Sequence, residues 1–319
     1  MLVPMPRPST GLARRAPLAA LLASLVAGGA LASCGGGSSS PTTTLARRTS
    51  IEVRRNLTYG SAAIDGGARK VDLRLDLYLP PGEAPPEGWP VVVVVHGGDF
   101  TDQSKAEAGI VRIARGLAGR GMAAAAIDYR LAPQRPVPSA RVAALRDALP
   151  ADRQPDAVAA AADDTLAALD WVRDQGTALD LDTGRVGLVG ESAGAITADH
   201  VAYAAADHGI EVPQLRFVAS LWGGILARSP TEVGPDPADQ LSSGEPALFA
   251  VHGDADATVD VSLDDALVGR AQQVGVDVEY HRTRGGTHGF DGSRFFTEQL
   301  PDHRTPFDRL IEFAIKHLA

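Results

Sequence analysis

Five consecutive valines, Val91 to Val95, constrain this chain more than any other feature of its sequence. Side chains alternate between the two faces of a sheet, so an unbroken β-branched run has no face to give to water. Such a strand must be covered above and below, which is the position of a strand inside a parallel sheet flanked by helices.

Strand and helix patterns alternate around that run. Over residues 71–79, Val71, Leu73, Leu75, Leu77 and Leu79 are apolar, with Asp72, Arg74, Asp76 and Tyr78 between them. This period of two predicts a half-buried strand, antiparallel and near a sheet edge. Pro80-Pro81-Gly82 stops it. Further strands are expected over 122–127, 185–189, 215–221, 247–251 and 276–280, and helices over 106–120, 157–175, 193–206, 262–275 and 307–318. Repeated strand–helix units define an α/β class, a mostly parallel twisted sheet with helices on both faces. Ligand sites in such sheets lie beyond the carboxyl ends of the strands, so chemistry is expected just after them.

Composition narrows the function. The chain is 45% hydrophobic and 22% charged, which is ordinary for a globular domain. Its 30 basic and 39 acidic residues give a net charge of −9 with no basic block, which argues against a nucleic-acid partner. The single cysteine excludes an internal disulfide and a cysteine-based zinc site. That cysteine sits in an unusual place. Arg14 and Arg15 precede an apolar stretch over 16–32 that is short and rich in Ala and Gly for a bilayer span. Positive start, apolar middle and small residues at the end describe an export signal. Leu31-Ala32-Ser33-Cys34 resembles the lipobox of bacterial lipoproteins. The resemblance implies cleavage before Cys34, lipid on Cys34 and attachment to a lipid bilayer at the cell membrane or envelope. The Gly/Ser/Thr run that follows suits a flexible tether. The expected organisation is a signal peptide over 1–33, a tether over 34–48 and one domain over 49–319.

Three predicted strand ends carry chemistry. Gly190-Glu191-Ser192-Ala193-Gly194 lies between a predicted strand and a predicted helix. In that setting G-x-S-x-G is a sharp turn that exposes the serine hydroxyl at a helix N-terminus, where developing negative charge is favoured. His288, in Gly285-Gly286-Thr287-His288-Gly289-Phe290, sits on a glycine-rich loop and suits general-base work at neutral pH. Asp256 follows the strand over 247–251, where a buried carboxylate would fix the histidine tautomer. Asp254 is its rival two residues away. Asp260, Asp264 and Asp265 read as helix-start or solvated residues, and Asp163 and Asp164 as a solvated or locally paired helix face. His200, His208, His281, His303 and His317 read as surface residues. Residues 133–155 form a long, proline-punctuated connection that suits part of a lid or acyl pocket.

The order Ser192, Asp256, His288 is that of the α/β-hydrolases. Within that superfamily the chain resembles the carboxylesterase/lipase group related to hormone-sensitive lipase. His96-Gly97-Gly98-Asp99-Phe100 resembles the group's His-Gly-Gly-Gly oxyanion motif, with Asp99 in place of the third glycine. Asp128-Tyr129-Arg130-Leu131-Ala132-Pro133 resembles its Asp-Tyr-Arg-Leu-Ala-Pro segment. His252 to Val259 resembles its H-G-x-x-D-x-x-V acid motif, which favours Asp256 over Asp254, and Thr287-His288-Gly289-Phe290 resembles its His-Gly-Phe ending. The resemblance implies a serine ester hydrolase acting on small-molecule esters through an acyl-enzyme, without metal or organic cofactor. It implies oxyanion donors at the backbone N–H groups of Gly98, Asp99 and Ala193. Two other readings use the same scaffold: a serine peptidase of the prolyl-oligopeptidase type lacking its propeller, and a non-catalytic binding protein. The number of subunits is not legible in the sequence.

Overall fold

The computed structural model describes residues 49–226, 237–289 and 293–319. The expected signal peptide, Cys34, the tether and Phe290 lie outside the described residues. Val91 to Val95 form the body of β3 (Trp89–Val95), and none of the five side chains exposes any surface. Their alternation splits them between two cores. Val91, Val93 and Val95 pack with Leu75 and Leu77 and with the side of the 155–179 helix that carries Val158 and Leu166. Val92 and Val94 pack on the opposite face with Ile110 and Ile113 of the 108–118 helix and Leu310 and Phe313 of the 306–318 helix. Each buried valine contributes roughly 1.5–3 kcal/mol relative to an exposed one, so this strand organises both layers.

The described elements run β1 (Glu52–Ile64), β2 (Arg69–Leu79), β3, α1 (Ala108–Ala118), β4 (Ala123–Ile127), α2 (Ala143–Ala148), α3 (Pro155–Leu179), β5 (Leu181–Glu191), α4 (Ala193–Tyr203), β6 (Phe217–Leu221), β7 (Ala247–Gly253), α5 (Ser262–Gln273), β8 (Val278–Thr283), α6 (Arg294–Thr297) and α7 (Pro306–Leu318). Eight strands make one sheet in the order β1-β2-β4-β3-β5-β6-β7-β8. The β1–β2 and β2–β4 pairs are antiparallel, and every pair from β4 to β8 is parallel. The alternating strand is therefore antiparallel and next to the edge, as its pattern indicates.

The edge itself, β1, has no clean signature in the sequence. Its register against β2 shifts between Arg54 and Leu57 and again between Thr58 and Gly60. Each shift resets the inside–outside alternation, so no period of two survives along the strand. At the first shift Asn56 adopts φ 55°, and its N–H donates to Asp76 Oδ1 at 2.8 Å. The helix expected over 157–175 is longer, bounded by left-handed residues Gln154 and Asp180. The helix expected over 193–206 stops at Tyr203.

The register of the parallel strands sets the site. Val95 lies opposite Gly190, Glu191 opposite Leu221, and Leu221 opposite Val251. Strands β3, β5, β6 and β7 thus leave the sheet at one level, and the turns that follow them meet above it.

Candidate active site

Ser192 occupies the turn between β5 and α4. Its backbone has φ 52° and ψ −119°, a conformation that residues other than glycine adopt only under constraint. The constraint is close packing. A Cβ on Gly190 would lie 2.1 Å from Gly194 O, and one on Gly194 would lie 2.3 Å from Val95 O. Glycine on both sides lets β5, the start of α4 and the end of β3 come together. Ser192 N–H donates to Leu221 O at 2.9 Å, and Ser192 O accepts the first helical bond, from Ile196 N–H, also at 2.9 Å. The hydroxyl is left at the positive end of α4.

The other two expected residues reach it from the strands beyond. Ser192 Oγ lies 2.8 Å from His288 Nε2, and His288 Nδ1 lies 2.7 Å from Asp256 Oδ2. With the ring proton on Nδ1, the imidazole donates to the carboxylate and accepts from the serine hydroxyl. Asp256 Oδ1 accepts the N–H groups of Thr258 at 2.8 Å and Val259 at 3.0 Å. Burial alone would raise its pKa, but the hydrogen bonds from Val259, His288 and Thr258 outweigh burial and hold the carboxyl below its ordinary range. The rival Asp254 points elsewhere: its Oδ1 accepts Gly285 N–H at 2.6 Å and shapes the loop that carries His288.

The turn after β3 faces the same serine. Gly98 has φ 95°, and a Cβ there would sit 2.3 Å from Asp102 O, so glycine is required. Asp99 has φ 50°, within the left-handed region that aspartate tolerates better than most residues, and its side chain is exposed. An exposed carboxylate at this position is screened by water, which weakens its repulsion of an oxyanion. Gln154 Nε2 donates to Asp99 O at 3.3 Å, so the start of α3 braces the turn. Tyr129 braces it from below. Its ring stacks on buried His96 at 4.3 Å, and its hydroxyl donates to Gly97 O at 2.9 Å.

Several side chains differ from what their sequence position suggested. Asp164 is neither solvated nor locally paired. It is buried and holds Arg130, which is 1% exposed, through Nε at 3.0 Å and Nη2 at 2.8 Å. Burial raises the Asp164 pKa to about 6 against the opposing pull of Arg130. Arg130 Nη1 also donates to Ala63 O at 3.0 Å and Val137 O at 2.8 Å, tying β1 and the 133–155 connection to α3. His200 is not a surface residue: it is fully buried on α4, and burial lowers its pKa to about 4. Asp264 is a helix-start residue, as expected, but it is buried rather than solvated. Glu191 precedes Ser192 in the turn, and the sequence carries no signal of its burial. Burial raises its pKa to about 7, against the hydrogen bond from Gly97 N–H and with help from Glu107.

Ser192 stands between two cavities. One, of about 700 Å³, is lined by Phe100, Gln154, Ile196, Leu226 and Leu263. The other, of about 560 Å³, is lined by Glu191, Trp222, His288, Phe295 and Phe296. A larger cavity of about 860 Å³ near Arg141 and Arg173 contains none of these residues and has no link to the serine. Asp152, Arg153 and Gln154, the end of the connection expected to shape a lid or acyl pocket, line the first cavity. Among the described residues no group of three His, Cys, Asp or Glu side chains is placed to hold a metal ion, and no helix is long and apolar enough to cross a membrane.

A sheet of this order, with a serine on a strained strand–helix turn, is the architecture of an α/β-hydrolase. The comparisons agree. The family model described as alpha/beta hydrolase fold matches residues 148–233, and the one described as BD-FAE matches residues 75–149. The chain is 28% identical over 264 residues to Esterase LipI of Mycobacterium tuberculosis, covering 72% of this chain and 74% of that protein. The propionate-bound structure of the thermophilic esterase Est2 from Thermogutta terrifontis has a TM-score of 0.60 and 25% identity, covering 85% of this chain and 94% of the other. The same esterase phosphorylated by paraoxon has a TM-score of 0.59 at 24% identity, over 85% and 94%. The chain has the α/β-hydrolase fold, and its similarity to these esterases supports a serine ester hydrolase.

Proposed function

We propose that Ser192, His288 and Asp256 hydrolyse small carboxylic esters through an acyl-enzyme. The observation that carries this reading is the unbroken line of hydrogen bonds, 2.8 Å from Ser192 Oγ to His288 Nε2 and 2.7 Å from His288 Nδ1 to Asp256 Oδ2. His288 takes the serine proton as Oγ attacks the ester carbonyl, and Asp256 stabilises the imidazolium that forms. The N–H groups of Gly98, Asp99 and Ala193 hold the tetrahedral oxyanion, each worth about 2.7–4 kcal/mol of barrier. His288 returns the proton to the alcohol as the C–O bond breaks, leaving acyl-Ser192. It then deprotonates the water that releases the acid.

The two cavities divide the substrate. The departing alcohol must receive its proton from His288 Nε2, so it occupies the cavity that His288 lines with Trp222, Phe295 and Phe296. The acyl chain extends into the cavity of Phe100, Ile196, Leu226 and Leu263. Export and attachment to a bilayer through acylated Cys34 complete the proposal, supported by the lipobox-like Leu31-Ala32-Ser33-Cys34. Ser192→Ala tests the chemistry. It should lower kcat on a short-chain nitrophenyl ester by about 10⁴-fold or more and abolish labelling by a fluorophosphonate probe. Turnover close to wild type would sink the assignment. Cys34→Ser should release the protein from membranes, and unchanged membrane recovery would count against the anchor.

A further inference from the structure

A second imidazole stands behind the first. His252, at the end of β7, is fully buried. Its Nδ1 lies 2.7 Å from Asp264 Oδ2. Its Nε2 lies 3.0 Å from Val259 O and 3.3 Å from Asp256 Oδ2. That Asp256 oxygen is the one that accepts His288 Nδ1–H. One carboxylate oxygen is therefore shared by two imidazoles, and the facing nitrogens lie within about 6 Å of each other.

The hydrogen bonds fix how many protons His252 carries. A backbone carbonyl has none to give, so Nε2 must donate. Nδ1 faces a carboxylate whose other oxygen, Oδ1, lies 3.1 Å from Ser220 Oγ. Ser220 Oγ is also 2.7 Å from Asp199 Oδ2 on α4. A hydroxyl has one proton to give, so two buried carboxyls that meet at one serine favour a further proton on one of them. Asp199 is the better holder: it is fully buried, its Oδ2 also accepts Gly224 N–H at 3.0 Å, and its Oδ1 has no hydrogen-bond partner among the described residues. With Asp199 neutral, Asp264 is ionised and both nitrogens of His252 donate. The charged and titratable groups that face His252 are Asp256 and Asp260 from the loop after β7, Asp264 from α5, His288 from the loop after β8, and Asp199 behind Ser220.

We propose that His252 is a positioning residue of the ester hydrolysis, an imidazolium clamped between Asp264 and Asp256 that orients the triad carboxylate and keeps it ionised. This rests on the triad reading above. The clamp places a cation 3.3 Å from Asp256 Oδ2 and one carboxylate away from His288. That cation opposes protonation of the catalytic base, so the base stays available at lower pH. Burial alone would lower the His252 pKa, but the hydrogen bond and charge of Asp264, with Val259 O and Asp256, reverse the direction and raise it.

Two measurements test the clamp. In wild-type protein labelled with ¹⁵N in its histidine rings, His252 should show two ring N–H groups at pH 8, where an ordinary histidine is neutral. A ring protonated on Nε2 alone would overturn the proposal, and this result needs no variant to fold. Second, His252→Gln and Asp264→Asn should each move the acid limb of kcat/KM upward by about one pH unit, with KM little changed and the plateau kcat reduced by about tenfold or more. A fall in thermal stability with the limb unmoved would mark His252 as structural only and refute the inference. Ser192→Ala separates the two levels. If it keeps its activity, the triad reading fails. If it is inactive while the limb stays fixed in the His252 and Asp264 variants, only the clamp fails.

Discussion

Ser192 is held where glycine would be at ease, and that strain has a measurable size. At φ 52° and ψ −119°, a residue with a Cβ costs on the order of 1–3 kcal/mol. Ser192→Ala removes the hydroxyl but keeps the Cβ, so it keeps the strain. Ser192→Gly removes both. Glycine also loosens the unfolded chain, which offsets roughly 0.5–1 kcal/mol of the gain. The difference between the two inactive variants should therefore be up to about 2.5 kcal/mol in favour of Ser192→Gly, or up to about 5 °C in Tm for a chain of this size. Because both lack the bond to His288, its loss cancels in the comparison. Thermal and denaturant unfolding of the two purified variants, side by side, give the number. A Ser192→Gly protein less stable than Ser192→Ala would refute the claim that the fold stores strain at the nucleophile.

Three further outcomes follow from the same geometry. Arg130→Met should destabilise the protein by about 3–5 kcal/mol in chemical denaturation, because it leaves Asp164 buried without its partner and strands Ala63 O and Val137 O; the double variant Arg130→Met/Asp164→Leu should recover part of the loss. Gly194→Ala should cost about 1–3 kcal/mol and most of the activity, since its Cβ would meet Val95 O at 2.3 Å and His96 O at 2.5 Å; a fully active, equally stable variant would contradict the packing described for the turn. Glu191→Gln should change how stability depends on pH. The folded carboxyl keeps its proton up to about pH 7 while the unfolded one loses it near its ordinary value of 4.5, so wild-type stability falls as pH rises across that window. The variant should lack this fall and be the more stable protein at pH 8, by about 1–2 kcal/mol once partial solvent contact is allowed for; equal pH slopes in thermal melts would count against it.

What the sequence revealed, and what it hid, follows from how each signal is built. The valine run and the alternation of β2 are local patterns with one physical cause each, and both strands appear where expected. Ser192, Asp256 and His288 were legible because each follows a strand and strand ends converge in a parallel sheet. Strand β1 was hidden because two register shifts erase its period. Asp164 and His200 differ from expectation for another reason, and Asp264, at its helix start as expected, is buried rather than solvated. A charged residue on an otherwise small-residue helix looks solvated until its partner is known: Arg130 reaches Asp164 from beyond β4, Ser220 and His252 reach Asp264 from β6 and β7, and His200 turns inward to Ile196 O of its own helix at 2.8 Å. The Asp-Tyr-Arg-Leu-Ala-Pro segment was noticed only as a resemblance. Its residues brace the site rather than react: Asp128 holds Lys105 at 2.5 Å, Tyr129 props the turn after β3, and Arg130 locks α3.

The common level at which the parallel strands end has a consequence for synthesis. The nucleophile and its base are 96 residues apart, and they meet only after β6, β7 and β8 have added in turn to the sheet. Contacts this distant along the chain form late. On the triad reading, a growing polypeptide therefore carries Ser192 without its base until the loop after β8 is made. A chain that ends before β8 lacks His288, the imidazole that Ser192 Oγ meets at 2.8 Å.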